Sequence, residues 1–143
     1  MAITQAMATS FKVQLLNGQQ NFSADTFKLA LYTSSATINE NTTAYTSSNE
    51  VPSTGNYSAG GNTLTVSVTP TNSGNVAYIS FANTSWANAT ITAAGALIYN
   101  HSQSNAAVCV LNFGGDKTST NGTFAVNFPT ADASNAIIRL TAS

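Results

Sequence analysis

Residues 106–129 read AAVCVLNFGGDKTSTNGTFAVNFP, and this stretch decides the fold. An almost unbroken apolar run (106–113) leads into a segment rich in Gly, Asp, Ser and Asn. After it, Phe124, Val126 and Phe128 alternate with Thr123, Ala125 and Asn127. Period-two alternation sends successive side chains to opposite faces of a sheet, so the second run reads as a half-buried strand. The first run is apolar on both faces, with Val108 and Val110 against Cys109, Leu111 and Phe113, and belongs in the middle of a sheet. Pro129 closes the second run because it cannot donate to a ladder. The pattern predicts a β-hairpin that turns within residues 114–122.

The same alternation recurs in both directions. Residues 25–33 (DTFKLALYT) place Phe27, Leu29 and Leu31 inward, with Lys28, Ala30 and Tyr32 opposite. Residues 63–69 alternate Leu64, Val66 and Val68 with Thr65 and Ser67 after the Gly60-Gly61 pair. A turn at 70–74 leads to Ala77, Ile79 and Phe81. Residues 90–100 form the next strand, where Gly95 marks a bulge or a close backbone approach. Ile138 and Leu140 oppose Ile137 and Arg139 in the last strand. About eight short strands separated by Ser, Thr, Asn and Gly turns predict an all-β antiparallel sandwich. Its candidate core is Phe27, Leu29, Leu31, Leu64, Val66, Val68, Trp86, Phe124, Val126 and Phe128. Trp86 falls in a small polar turn, as a core lid or, alternatively, a platform for stacking sugar.

The N-terminal part is less regular. Ser10 can cap a short helix running to residue 16 or 17, with Phe11 and Leu15 on one face and Gly18 in the left-handed position beyond its end. Phe11, Val13 and Leu15 also alternate with Lys12 and Gln14, so a strand is the competing reading. Residues 1–9 form an arm that reaches a neighbouring subunit or frays; residues 10–143 make a single domain. Residues 34–57 are a long polar segment, with one or two short strands expected near 44–46 and a contact surface on the rest.

Composition narrows the function. The chain has 143 residues, 43% of them hydrophobic, yet only 6% are charged, against about a quarter in ordinary domains. Ser, Thr and Asn make up 55 of the 143 residues. A surface with so little charge does little to keep copies apart, which suits a protein packed in an assembly. Net charge is −1, and Lys12, Lys28, Lys117 and Arg139 are scattered, which argues against nucleic acid as a partner. No apolar run approaches membrane-span length, and residues 1–12 lack the basic start and apolar core of a signal peptide. The single Cys109 excludes an internal disulfide and reads as a buried small hydrophobe.

Catalytic chemistry is sparse. His101 lies in the turn 100–105 with no Ser and acid placed to orient it. Asp25, Glu40, Glu50, Asp116 and Asp132 are isolated, so neither paired carboxylates nor a metal-ligand spacing is present. Residues 114–118 (GGDKT) fail as a phosphate loop because Asp116 separates Gly from Lys. The reading is not an enzyme, with no cofactor and no metal.

Six segments carry a resemblance in order: SFKVQLLNG (10–18), DTFKLALYTSSATIN (25–39), TAYTSSNEV (43–51), YSAGGNTL (57–64), GALIYN (95–100) and VLNFGGDKTSTNGTF (110–124). Together they resemble a family of small virion structural proteins of tailed bacteriophages, including cyanophages. The resemblance implies a capsid decoration (cement) protein on the head exterior, assembled in the host bacterial cytoplasm. Its partners would be the major capsid protein and further copies of itself, as a homo-oligomer such as a trimer. On this reading Met1, Ala2, Ile3, Thr4, Gln5, Glu40, Tyr45, Glu50 and Tyr57 are the candidate capsid and subunit contacts. The alternative is a tail-fibre or baseplate-associated module that binds a host-surface glycan, with Trp86, Tyr45 and Tyr57 as stacking platforms.

Overall fold

A computed structural model describes residues 2–141. Eight strands and one helix follow in the order β1 (Ala6–Met7), α1 (Thr9–Leu16), β2 (Phe27–Tyr32), β3 (Asn62–Leu64), β4 (Val66–Ser73), β5 (Val76–Phe81), β6 (Thr84–Asn100), β7 (Ala106–Val126) and β8 (Ile138–Leu140). They build two antiparallel sheets, a five-stranded one ordered β1-β7-β6-β2-β3 and a three-stranded one ordered β4-β5-β8. The all-β sandwich with a short N-terminal helix is therefore the observed fold. Aromatic rings bridge the two layers. Phe27 of the larger sheet lies 5.8 Å from Phe81 of the smaller, and Phe22 stacks on Phe27 at 4.5 Å.

The strand β7 corrects the predicted hairpin. Residues 114–122 do not reverse the chain; they continue one 21-residue strand paired along β6. The reversal falls instead at residues 101–105, where Ser104 and Asn105 take left-handed backbone (φ 56° and 60°). Gly114 and Gly115, at φ 82° and 145°, absorb a bulge in which Ala94 stands opposite residues 113–116. The glycines serve the bulge that the long ribbon needs to bend, not a turn.

Other boundaries also shift. The predicted strand 63–69 divides at Thr65, where the chain leaves the larger sheet as β3 and enters the smaller as β4. Pro70 sits inside β4, which tolerates it because β4 is an edge strand with a register shift there. Val66 and Val68 are consequently only half-buried, as is Phe128; the remaining candidate core residues are buried. Trp86 lies on β6, not in a turn, and is 3% exposed between Tyr57 and Phe124. Both faces of β2 are covered, with every residue but half-buried Lys28 buried, and the loop that follows it bonds to the Leu31 backbone from Val51 and Tyr57.

The helix reading of residues 10–16 holds, with a different cap. The N-cap is Ala8, and Ser10 lies in the first turn with its hydroxyl buried and unpartnered. Backbone bonds from Ala8 N–H to Val108 (2.9 Å) and from Thr9 N–H to Glu40 (2.8 Å) anchor the entry instead. At the other end Gly18 (φ 74°) and Gln19 donate to Leu15 and Gln14, the paired bonds that close a helix over a left-handed glycine. Among the described residues no helix is long and apolar enough to cross a membrane.

Candidate interaction surface

The segment between β2 and β3 was expected to be a polar surface excursion carrying one or two strands. It forms none, only isolated bridges from Ile38 to Ile3, Ala44 to Ala106 and Glu50 to Tyr32. Its order comes from side chains. Glu50 is buried and takes three donors: Tyr45 hydroxyl at 2.5 Å, Tyr57 hydroxyl at 2.6 Å and the Gly60 amide at 2.7 Å. A buried carboxylate is tolerable only when its oxygens are satisfied in this way.

The donors are themselves fixed. Tyr57 hydroxyl accepts the Leu31 amide at 2.9 Å, which ties the loop to β2. Tyr99 of β6 donates to the Gly60 carbonyl at 2.7 Å and stacks on Tyr45 with ring centroids 4.8 Å apart. Tyr32 donates to the Thr46 carbonyl at 2.6 Å. Burial pushes the hydroxyls of Tyr32, Tyr45 and Tyr57 far above the ordinary tyrosine range; the Glu50 bond raises Tyr45 and Tyr57 further, and its charge adds to all three. Burial, with Glu50 behind it, pushes Tyr99 up to about 12. These hydroxyls stay protonated and act as donors, which makes the cluster a lock and not a source of nucleophiles.

The other candidate contacts divide. Ala2, Thr4, Gln5 and Glu40 are exposed, Ile3 and Tyr45 are half-buried, and Met1 lies outside the described residues. Glu50 and Tyr57 cannot touch a partner as read from sequence, because both are inside the protein. Trp86 and Tyr57, being buried, also fail as stacking platforms for a sugar. Residues 2–8 neither project nor fray. Ala6 and Met7 pair with Val110 and Cys109, the Thr4 amide donates to Ile38, and Asn112 donates to the Ile3 carbonyl. Ile3 occupies a hollow at Gly95, where an added Cβ would come within 2.8 Å of its side chain.

The sequence reading singled out Tyr45, Glu50 and Tyr57 but missed Tyr99, Tyr32 and Gly60. An isolated acid flanked by two tyrosines in a segment with few charges was the available signal. His101 is exposed in its turn, with Nδ1 3.0 Å from the Asn105 side-chain oxygen. Burial pushes the Cys109 thiol up to about 12, which leaves it a protonated, unreactive core group. Among the described residues no three His, Cys, Asp or Glu side chains converge as a metal site.

A scan against protein-family models and searches of curated proteins and of solved structures found no match to this chain.

Proposed function

We propose that the chain is a virion structural protein of a tailed bacteriophage, a decoration protein that coats the head exterior and clamps neighbouring capsomers. The observation that carries the reading is the pinned loop 34–60. It offers a long, exposed Ser/Thr/Asn surface already ordered by the Glu50 cluster, so binding need not freeze it. The order and spacing of the six sequence segments supply the phage assignment. The sparsely charged surface supports a life inside an assembly, because Glu50, one of only nine charged side chains, is withdrawn into the core.

In this mechanism the partners are the major capsid protein and sister copies, and no catalytic step is involved. Modest contacts repeated over a lattice give firm total attachment. The exposed residues Ala2, Thr4 and Gln5 lie beside the pinned loop, which itself carries exposed Glu40, and extend its surface, since Thr4 and Thr9 bond to Ile38 and Glu40. Quantitative mass spectrometry of purified virions tests the proposal. A ratio near unity to the major capsid protein is expected. A few copies per particle would move the protein to a tail or vertex, and absence from the virion would end the reading.

A further inference from the structure

The structure holds a concave feature that the pinned loop does not use. Beyond Val110 the outer edge of β7 has no strand partner among the described residues, since β1 pairs only with Cys109 and Val110. There the bulged strand borders an open surface cleft of about 420 Å³. All of its lining residues belong to residues 113–127. Phe113, Phe124 and Val126 give an apolar floor, with the two rings 6.3 Å apart and tilted by 46°. Lys117, Thr118, Thr123 and Asn127 give a polar rim, and Lys117 is the sole charge in it.

The shape of this edge selects among occupants. A straight open edge invites an extended peptide, but register shifts interrupt the β6–β7 ladder three times between Trp86 and Gly95. Bulges bend an edge away from the regular spacing that strand addition requires. A compact ligand fits better. The volume lies in the range of small-molecule sites, which combine an apolar or aromatic floor with a few placed polar groups. Phe113 is half-buried, so part of its ring faces the cleft, while Lys117, Thr123 and Asn127 are exposed. A sugar ring matches this set: its C–H face lies on an aromatic ring and its hydroxyls exchange bonds with hydroxyl and amide side chains. The unopposed Lys117 ammonium adds a preference for negative charge.

We propose that this cleft binds a carboxylate-bearing sugar, one uronic-acid unit of an acidic polysaccharide. Its apolar face would lie on Phe113, its hydroxyls on Thr118, Thr123 and Asn127, and its carboxylate on Lys117. The proposal involves other residues than the pinned loop and does not depend on the decoration reading.

The test is a titration of isotope-labelled full-length protein with trigalacturonate, followed by amide chemical shifts. Galactotriose and triglutamate serve as the neutral-sugar and acidic-peptide probes. Saturable shifts centred on residues 113–127 are expected with trigalacturonate, about fivefold weaker binding with galactotriose, and none with triglutamate. Lys117→Met, at an exposed position that leaves the fold intact, should weaken binding about fivefold, as should raised salt. Phe113→Tyr should retain binding, whereas Phe113→Ala should lose it. The proposal is overturned by equal binding of galactotriose or triglutamate, by shifts centred elsewhere, by indifference to Lys117→Met, or by no saturable shift with trigalacturonate.

Discussion

Tyr57 donates its hydroxyl proton to the buried carboxylate of Glu50 at 2.6 Å while accepting the amide of Leu31 at 2.9 Å. One phenol thus couples the acid of an irregular loop to the backbone of a central strand. Tyr57→Phe removes both bonds and leaves a buried amide unpaired, a loss of about 1–3 kcal/mol. Glu50→Ala strands two hydroxyls and the Gly60 amide together and should cost more. Urea unfolding gives the free energies. Hydrogen exchange should show faster amides at residues 44–60 in both variants, with β6 and β7 protected as before.

Gly61 and Gly114 both have left-handed backbone, but only Gly61 is enclosed. A Cβ there would lie 1.7 Å from the Leu29 carbonyl oxygen, whereas nothing stands within 4 Å of one at Gly114. Gly61→Ala should therefore cost about 4 kcal/mol or more and displace β3 from β2. Gly114→Ala bears only the backbone term, about 1 kcal/mol. Comparable losses in thermal unfolding would contradict the packing described at Gly61.

The register pairs Met7 with Cys109, so the protein carries half of a reporter for its N-terminal strand. Met7→Cys, refolded from denaturant in an oxidising glutathione buffer so that the Cys109 thiol is reached before it is enclosed, should form an intramolecular disulfide with Cys109, seen as a monomer that has lost two hydrogens in mass. Persistent free thiols, or disulfide-linked dimers, would show that residues 6–7 do not lie on β7 of their own chain.

Stability should fall in alkali. Tyrosines 32, 45, 57 and 99 all hold their protons more tightly when folded than at the ordinary value of 10.0. Above pH 10 the unfolded chain releases protons that the folded chain keeps, so the unfolded state binds fewer and unfolding becomes easier as pH rises. The stabilisation is complete below about pH 10 and declines as pH climbs through 12 and beyond. In a Tyr78→Phe variant, which leaves only these four tyrosines, tyrosinate absorbance should rise in one cooperative step together with loss of β-sheet circular dichroism. Gradual ionisation with the sheet intact would contradict the buried cluster.

The legible part of the fold was the part set by local alternation. Phe27, Leu29 and Leu31 marked β2, and Ala77, Ile79 and Phe81 marked β5, because half-buried strands repeat every two residues. Phe11 and Gly18 marked the helix and its end. The predicted hairpin failed because Gly114-Gly115-Asp116 has the chemistry of a turn, and only pairing with a distant β6 makes it a bulge. The sheet change at Thr65 left no trace in an alternation that runs through it. The Glu50 lock was half visible: its residues were noticed as surface contacts, yet periodicity cannot show that a lone carboxylate in a polar loop turns inward to meet tyrosines. Ser10 illustrates the same limit, since its sequence position suits a cap while backbone bonds from Ala8 and Thr9 to the carbonyls of distant Val108 and Glu40 do that work.

The most direct measurement is binding of the purified chain to heads that lack it, comparing the wild type with Glu50→Ala. Cosedimentation should saturate near one copy per capsid subunit for the wild type. It should fall sharply for a folded Glu50→Ala chain, whose loop is no longer held in place. Equal binding by the two would show that the pinned loop is not the contact surface. Failure of the wild type to bind heads would contradict the account as a whole.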